Sequence, residues 1–399
     1  MKFSYTDLYN SPNKLAEHYK NFKVTERYLL TGHSHQAWPD CSFEEQKEAW
    51  NDAAEFVDDK WEKAFQKADE VKKGYLKLLD DDDGNIALGV NTLELLIRFL
   101  SALPLKEKPK LVTTEGEFHT IRRLTDRLSE EGINVVKVTS SPITDVVENL
   151  KKVSDEKTAA ILVSSVFFNS GLILPNLSEL AEFCDAKGIK LLVDAYHSLN
   201  VVPFSVKKNK LENAFITGGG YKYCQLGEGN CFLRFPKETD MRPVTTGWFS
   251  EFTVMSEKKR SGEVLYGTGD DLFTGATYDP TSNYRAARVL RFFNEMNLNA
   301  EFLREVSQHQ IKLLINEFDI LDANPSLIKR DISISLKNIA GFLVIYTEKA
   351  ELISAKLKEK NVWTDYRGNA LRFGPAPYLS DSQIKDSIKI LGDVLKEIS

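Results

Sequence analysis

The chain has 399 residues, 42% of them apolar and 28% charged, and 52 Lys and Arg against 58 Asp and Glu leave a net charge of −6. This is a globular composition long enough for two or three folded units, and its acid excess offers no basic footprint for a nucleic-acid backbone. The densest apolar run, 159–168, falls far short of the roughly 20 residues of a spanning helix, and the opening MKFSYTD lacks the apolar stretch of a secretion signal, so the expected location is the cytoplasm, with neither membrane nor nucleic acid as a partner.

From 43 to about 79, Glu, Lys, Ala and Leu with apolar positions at helical spacing predict one helix, ended by Asp80-Asp81-Asp82-Asp83-Gly84. Four adjacent aspartates before a glycine predict a solvated turn rather than a cation site. Strands at 110–114, 133–138, 160–166, 189–194, 214–217 and 231–235 alternate with helices near 119–131, 144–152 and 177–187, the pattern of βαβ units and a mostly parallel sheet. The runs AAILVSSV and IKLLVDA are apolar on both parities, as in strands covered on both faces. Beyond 280 come long helices at 282–296 and 299–318, short strands at 332–336, 341–346 and 371–373, and a last helix from about Asp381. The expected organisation is an N-terminal segment, 1–50, packing on the smaller domain; a large ligand-binding domain, 51–285; and a smaller C-terminal α+β domain, 286–399.

Cys41, Cys184, Cys224 and Cys231 are scattered without a C-x-x-C pair, and His33 and His35 come without H-E-x-x-H, so reduced thiols and no metal are expected. In an open α/β sheet, ligands bind beyond the carboxyl ends of the strands. There the run 189–193 enters Asp194-Ala195-Tyr196-His197, 214–217 enters Gly218-Gly219-Gly220-Tyr221-Lys222-Tyr223, and 85–88 enters Gly89-Val90-Asn91-Thr92 and a helix. Separately, Asp194 reads as a helix cap and Lys222 as a loop lysine. The glycines fit neither G-x-G-x-x-G nor G-x-x-x-x-G-K-[ST]. Together, a lysine 28 positions after a strand-terminal aspartate, with a strand between them, is the arrangement that holds pyridoxal 5'-phosphate. The amine joins the aldehyde, and the carboxylate pairs with the pyridine nitrogen, making the ring an electron sink.

The stretches VDAYHSLNVVPFSV and ITGGGYKYCQLGEGNCFLRFP, with GHSHQAWPD (32–40), TTGWFSEF (245–252) and ALRFGPAPYLSD (370–381), resemble the fold type I, class V aminotransferase superfamily, most closely the kynureninases. The resemblance spans nearly the whole chain. It implies an aspartate aminotransferase-like α/β fold, in which a large domain with a mostly parallel seven-stranded sheet is joined to the smaller C-terminal domain. It also implies Lys222 as the Schiff-base lysine and proton shuttle, Asp194 at the pyridine nitrogen, and His197 supporting the cofactor. Phe118 would stack on the ring, its alternative being plain core. Asn91 and Thr92 would form the phosphate turn at a helix N-terminus, Ser165 a hydroxyl beside the ring, and Tyr221 and Trp248 phosphate donors. Thr277 in FTGATYDP would reach the phosphate of a neighbouring subunit, implying a homodimer with shared sites.

By the same resemblance Arg372 would grip the substrate α-carboxylate through its planar fork, its alternative being a salt-bridged surface arginine, while His33 and Ser34, with His35, would line the pocket mouth. Two stretches depart from the kynureninase pattern: EFVDDKW at 55–61, and Ser250-Glu251 where Gly-His is common. The expected activity is hydrolytic Cβ–Cγ cleavage of a free amino acid. Transamination is the alternative, desulfuration ranks lower because no cysteine follows Cys231, and a non-catalytic binding protein stands as the contrasting class.

Overall fold

The protein is described here by a computed structural model covering residues 3–398. Its centre is a seven-stranded sheet, ordered Asn85–Gly89, Cys231–Phe235, Phe215–Gly218, Lys190–Asp194, Thr158–Ser164, Lys110–Thr114 and Asn134–Val138. Cys231–Phe235 runs antiparallel to both neighbours and every other pairing is parallel. In the four central strands every residue except Lys190 is buried, the physical reason for their uninterrupted apolar runs. Residues two apart share a face: Val112, Ile161, Val193 and Ile216 enter one core, whereas Leu111, Leu162, Leu192 and Phe215 enter the other.

After the sheet come helices Thr281–Glu295 and Ala300–Ile320, then an antiparallel three-stranded sheet of Asp365–Arg367, Ala370–Phe373 and Leu343–Tyr346, and helix Asp381–Ile398. Near the start of the chain, Tyr28–Leu29 pairs in parallel with Val362–Trp363. The same strap continues as Gly374 N–H donates to Leu30 O at 2.7 Å and Gly32 N–H to Gly374 O at 2.8 Å. It carries His33 to the end of the strand that holds Arg372.

Three expectations are corrected. The helix expected over 43–79 is two, Cys41–Phe56 and Lys60–Leu78, parted where Val57 takes φ +49°, a left-handed conformation that β-branched residues rarely adopt. The segment 332–336 is no strand: Ser333 N–H and Oγ both bond to Asp331 Oδ1, a local turn that competes with extended pairing, and Ile332 lies exposed. The acidic run is not solvated throughout. Asp81 is buried and accepts from Arg234 Nε at 2.7 Å, while Asp80 Oδ2 accepts from Ser205 Oγ at 2.6 Å. No helix of the described residues is long and apolar enough to cross a membrane.

Candidate active site

Lys190–Asp194, fed by helix Leu177–Lys187, brings Asp194 to the carboxyl end of the central strands. Asp194 Oδ1 accepts from Tyr196 N–H at 2.9 Å, fixing the carboxylate at the turn. One strand further on, Gly218–Gly220 leads to Lys222. These glycines answer to packing: a Cβ on Gly219 would meet Tyr196 Oη at 2.0 Å, and one on Gly220 would meet Asn230 Oδ1 at 2.1 Å. The chain therefore passes close under Tyr196 and turns Lys222 inward, where it is only 5% exposed.

Lys222 Nζ lies 2.8 Å from His197 Nε2 and within 5.1 Å of the centroids of the Phe118 and Tyr196 rings. Burial lowers its ammonium to about 7, with Arg372 adding to the shift and Asp194 opposing it. Burial raises the Asp194 carboxyl, against the Tyr196 N–H bond and Lys222. It drives His197 well below the ordinary imidazole range, so that ring is neutral. The other ring nitrogen, His197 Nδ1, is buried without a partner among the described residues.

These groups line a cavity of about 450 Å³. Asn91, Thr92, Phe118, Asp194, His197, Tyr221 and Lys222 all reach it. At one end stands the start of helix Thr92–Ser101, where Asn91 Oδ1 accepts from Glu94 N–H at 2.9 Å and the first-turn amides favour an anion. Ser165 stays outside: its hydroxyl donates to Asp194 O at 3.0 Å and meets Ser198 Oγ at 2.9 Å, bracing the strand end from behind. Its neighbour Ser164 faces the cavity in its place.

Trp248 and Thr277 bond to each other, Nε1 to Oγ1 at 3.1 Å, rather than to this cavity. Thr277 lines a smaller hollow of about 130 Å³ that shares Val90 and Gly229 with the main one. Arg372 is buried and already engaged. Nε and Nη2 bond to the Asp365 carboxylate, and Nη1 donates to Phe168 O at 2.7 Å. His33 Nε2 meets the same carboxylate at 2.7 Å. His33 is lowered to about 4 by burial, and Asp365 is held below the usual carboxylate range by its bonds to His33 and Arg372, which outweigh its burial. Ser34 Oγ bonds to His35 Nδ1 at 3.2 Å, away from the cavity wall.

Sequence reasoning missed Asp365, Glu117 and Cys231. Asp365 faces Arg372 across a hairpin whose two-residue loop is Gly368-Asn369, itself a hairpin signal. Glu117, buried beside Phe118, accepts from Thr114 Oγ1 at 2.7 Å and Ser164 Oγ at 2.5 Å. Burial raises it to about 7, with Asp194 adding and the two hydroxyls opposing. Cys231 lines the cavity 3.0 Å from Tyr196 Oη. Chemically, the floor offers a desolvated amine, uncharged in a substantial fraction at neutral pH, beside a neutral imidazole and a fixed carboxylate: a nucleophile and base in one group.

No protein-family profile matches the chain. It is 23% identical over 336 residues to the uncharacterized aminotransferase YcbU of Bacillus subtilis (strain 168), covering 82% of this chain and 84% of that protein. Among solved structures it resembles a C-DES mutant with glycine covalently linked to its PLP cofactor, at a TM-score of 0.81 and 15% identity over 95% of this chain and 99% of that one. It resembles equally the apo cysteine desulfurase of Thermococcus onnurineus NA1, at a TM-score of 0.81 and 15% identity over the whole of both chains. The fold is that of the fold type I pyridoxal-phosphate enzymes, and these likenesses are to an aminotransferase, a cystine C–S lyase and a cysteine desulfurase. The chain's own residues fit that cofactor: an unpartnered buried His197 nitrogen beside the amine, an aromatic face in Phe118, and a helix N-terminus opening on the same cavity.

Proposed function

We propose that the protein is a PLP-dependent enzyme acting on a free amino acid, with transamination as its reaction. The observation that carries this is Lys222, buried at about 7 and bonded to His197 at the cavity floor. Bound PLP supplies an aldehyde for that amine and an electron sink for charge developing at the substrate α-carbon. Lys222 removes the α-proton and hands it on, a role its value of about 7 suits, since the amine can both take and give a proton near neutral pH. Asp194 would hold a positive charge at the ring nitrogen, Phe118 would offer an aromatic face to the ring, and the helix starting at Thr92, with Tyr221, would hold the phosphate.

Sulfur transfer is disfavoured by the thiols: Cys41, Cys184, Cys224 and Cys231 are all raised by burial, and only a thiolate is nucleophilic. A second copy of the chain is proposed to complete the site. Trp248 and Phe252, both 47% exposed, and Val244, 82% exposed, form an apolar face on the segment that carries Thr277. A cytoplasmic homodimer is the corresponding working unit.

Kynureninase-like side-chain hydrolysis is the second reading, favoured by the motifs around Trp248 and Arg372. Products separate the two. Transamination leaves the cofactor in its pyridoxamine form and yields a keto acid, whereas cleavage of kynurenine releases anthranilate and alanine. Neither product from any of the twenty common amino acids or kynurenine, with holoenzyme whose cofactor is bound to Lys222, would overturn both reactions.

A further inference from the structure

Resting on the reading above, we propose that the amino acid taken at Lys222 carries a second anionic group, bound at the cavity mouth by Arg367 with His119 and Arg122. Phe168 is the joint on this side. Its ring lines the cavity, its carbonyl oxygen holds Arg372, and its ring packs on His119 with centroids 5.5 Å apart. His119 Nδ1 lies 3.3 Å from Arg122 Nη2, and Arg367 Nη2 stands 3.8 Å from Asp365 Oδ2.

The two arginines near Asp365 differ in what they can still bind. Arg372 is spent on Asp365 and Phe168 O, whereas Arg367 has a side chain 42% exposed, one bond to Tyr366 O at 2.7 Å and only the long contact to Asp365. Its planar fork is available to a carboxylate, phosphate or sulfonate.

Around His119, which stands between the cavity-lining Phe118 and Thr120, cations prevail. His119 sits below its ordinary value through burial and then through Arg122, Arg367, Arg123 and Arg372, all of which act on it. Arg122 has Asp126 at 3.4 Å, and Asp365 is shared among Arg372, Arg367 and His33. The helix His119–Glu130 begins here with Thr120 on the cavity wall, no acidic residue in its first turn and no side-chain cap from Phe118. The carboxylates near this path each have a partner: Asp365 meets Arg372 and His33, Asp126 meets Arg122, and Glu228 of the cavity wall lies 3.6 Å from His35.

The test is a titration of PLP-loaded protein with aspartate and glutamate against their isosteric amides, with cystine as a longer dicarboxylic probe, reading apparent Kd from the visible cofactor band. An acid binding about tenfold tighter than its own amide is expected. That ratio should fall toward one in Arg367→Gln and decline with added NaCl in the wild type. Because the ratio is internal to each protein, a partly folded variant does not imitate its loss. Amides that bind as tightly as acids, or an unchanged ratio in Arg367→Gln, would overturn the subsite alone. A wild-type protein that shows no lysine-bound cofactor band before any amino acid is added overturns the PLP reading and the subsite with it.

Discussion

The cavity floor and the segment 245–278 are built on opposite terms. Lys222, Asp194 and His197 hang from the ends of central strands, are each at least nine-tenths buried, and are held by bonds within the chain. The segment 245–278 has two short 3₁₀ turns, Trp248–Val254 and Gly269–Phe273, and leaves large apolar side chains in solvent. A rigid sheet can hold a desolvated amine at its working position without help, because the cost of burial is spread over a core packed on both faces. A loop cannot, and Trp248 gives its indole N–H to Thr277 and packs its ring on Phe249 and Phe252 within the segment itself. The difference teaches that the buried groups of the floor are held within one chain, whereas the segment leaves apolar side chains that a second copy of the chain, as proposed above, would cover.

Breaking the floor gives the largest effect. Lys222→Ala should abolish the visible band and borohydride-fixed labelling at this residue, and lower turnover by on the order of 10⁴-fold. Asp194→Asn, which keeps the shape but loses the charge proposed to pair with the ring nitrogen, should cost about 10²-fold in turnover, measured with the same amino acid. The lowered Lys222 value has a definite sign. Above about pH 7 the amine is uncharged and nucleophilic, and below it the amine is protonated and inert. Capture of PLP by apoprotein, followed by absorbance in stopped flow, should therefore rise through a midpoint near 7. A midpoint near that of an exposed lysine would mean the floor is not desolvated.

Those residues were legible in the sequence for a physical reason. Strands buried on both faces read as unbroken apolar runs, and polar residues just beyond them fall at one edge of the sheet, so Asp194, Lys222 and the Asn91 turn stand out without any knowledge of distances. Ser165 shows the limit of this reading: one residue of register sends a side chain to the other face, and Ser164 has the cavity instead. Arg372 was read as the grip on a substrate carboxylate, with a salt-bridged surface arginine as the alternative; it is salt-bridged but buried, because its partner Asp365 arrives through hairpin register and His33 through the strap at Gly32 and Gly374. Trp248 and Thr277 carried a motif whose geometry depends on what covers them, which no local pattern encodes.

The segment should yield smaller and concentration-dependent effects. Thr277→Val removes one acceptor from Trp248 and any hydrogen bond to a phosphate across an interface. It should weaken PLP affinity by about fivefold, in line with about 1 kcal/mol for one hydrogen bond. The loss should be read by equilibrium dialysis and should narrow as protein concentration rises in Trp248→Ala, whose deficit lies in association. A deficit in Trp248→Ala that stays constant from nanomolar to high micromolar protein would place Trp248 inside its own chain's site and erase the contrast between floor and segment.

Glu117→Gln sharpens the contrast with the smallest change in activity. Burial raises Glu117 to about 7 against the hydroxyls that Thr114 and Ser164 donate to it, so the fold favours its protonated form below that value. An unfolded chain holds that proton only below about 4.5. Between these values the folded state binds the extra proton, and stability must fall as pH rises from about 4.5 to 7. Glutamine mimics the protonated acid, so Glu117→Gln should flatten this slope, on the order of 1–3 kcal/mol across the window in urea midpoints, while turnover stays within about threefold because neither hydroxyl contact is on Lys222. Were turnover instead to collapse with the slope unchanged, Glu117 would be acting on the reacting atoms rather than holding Phe118 and Ser164 in place.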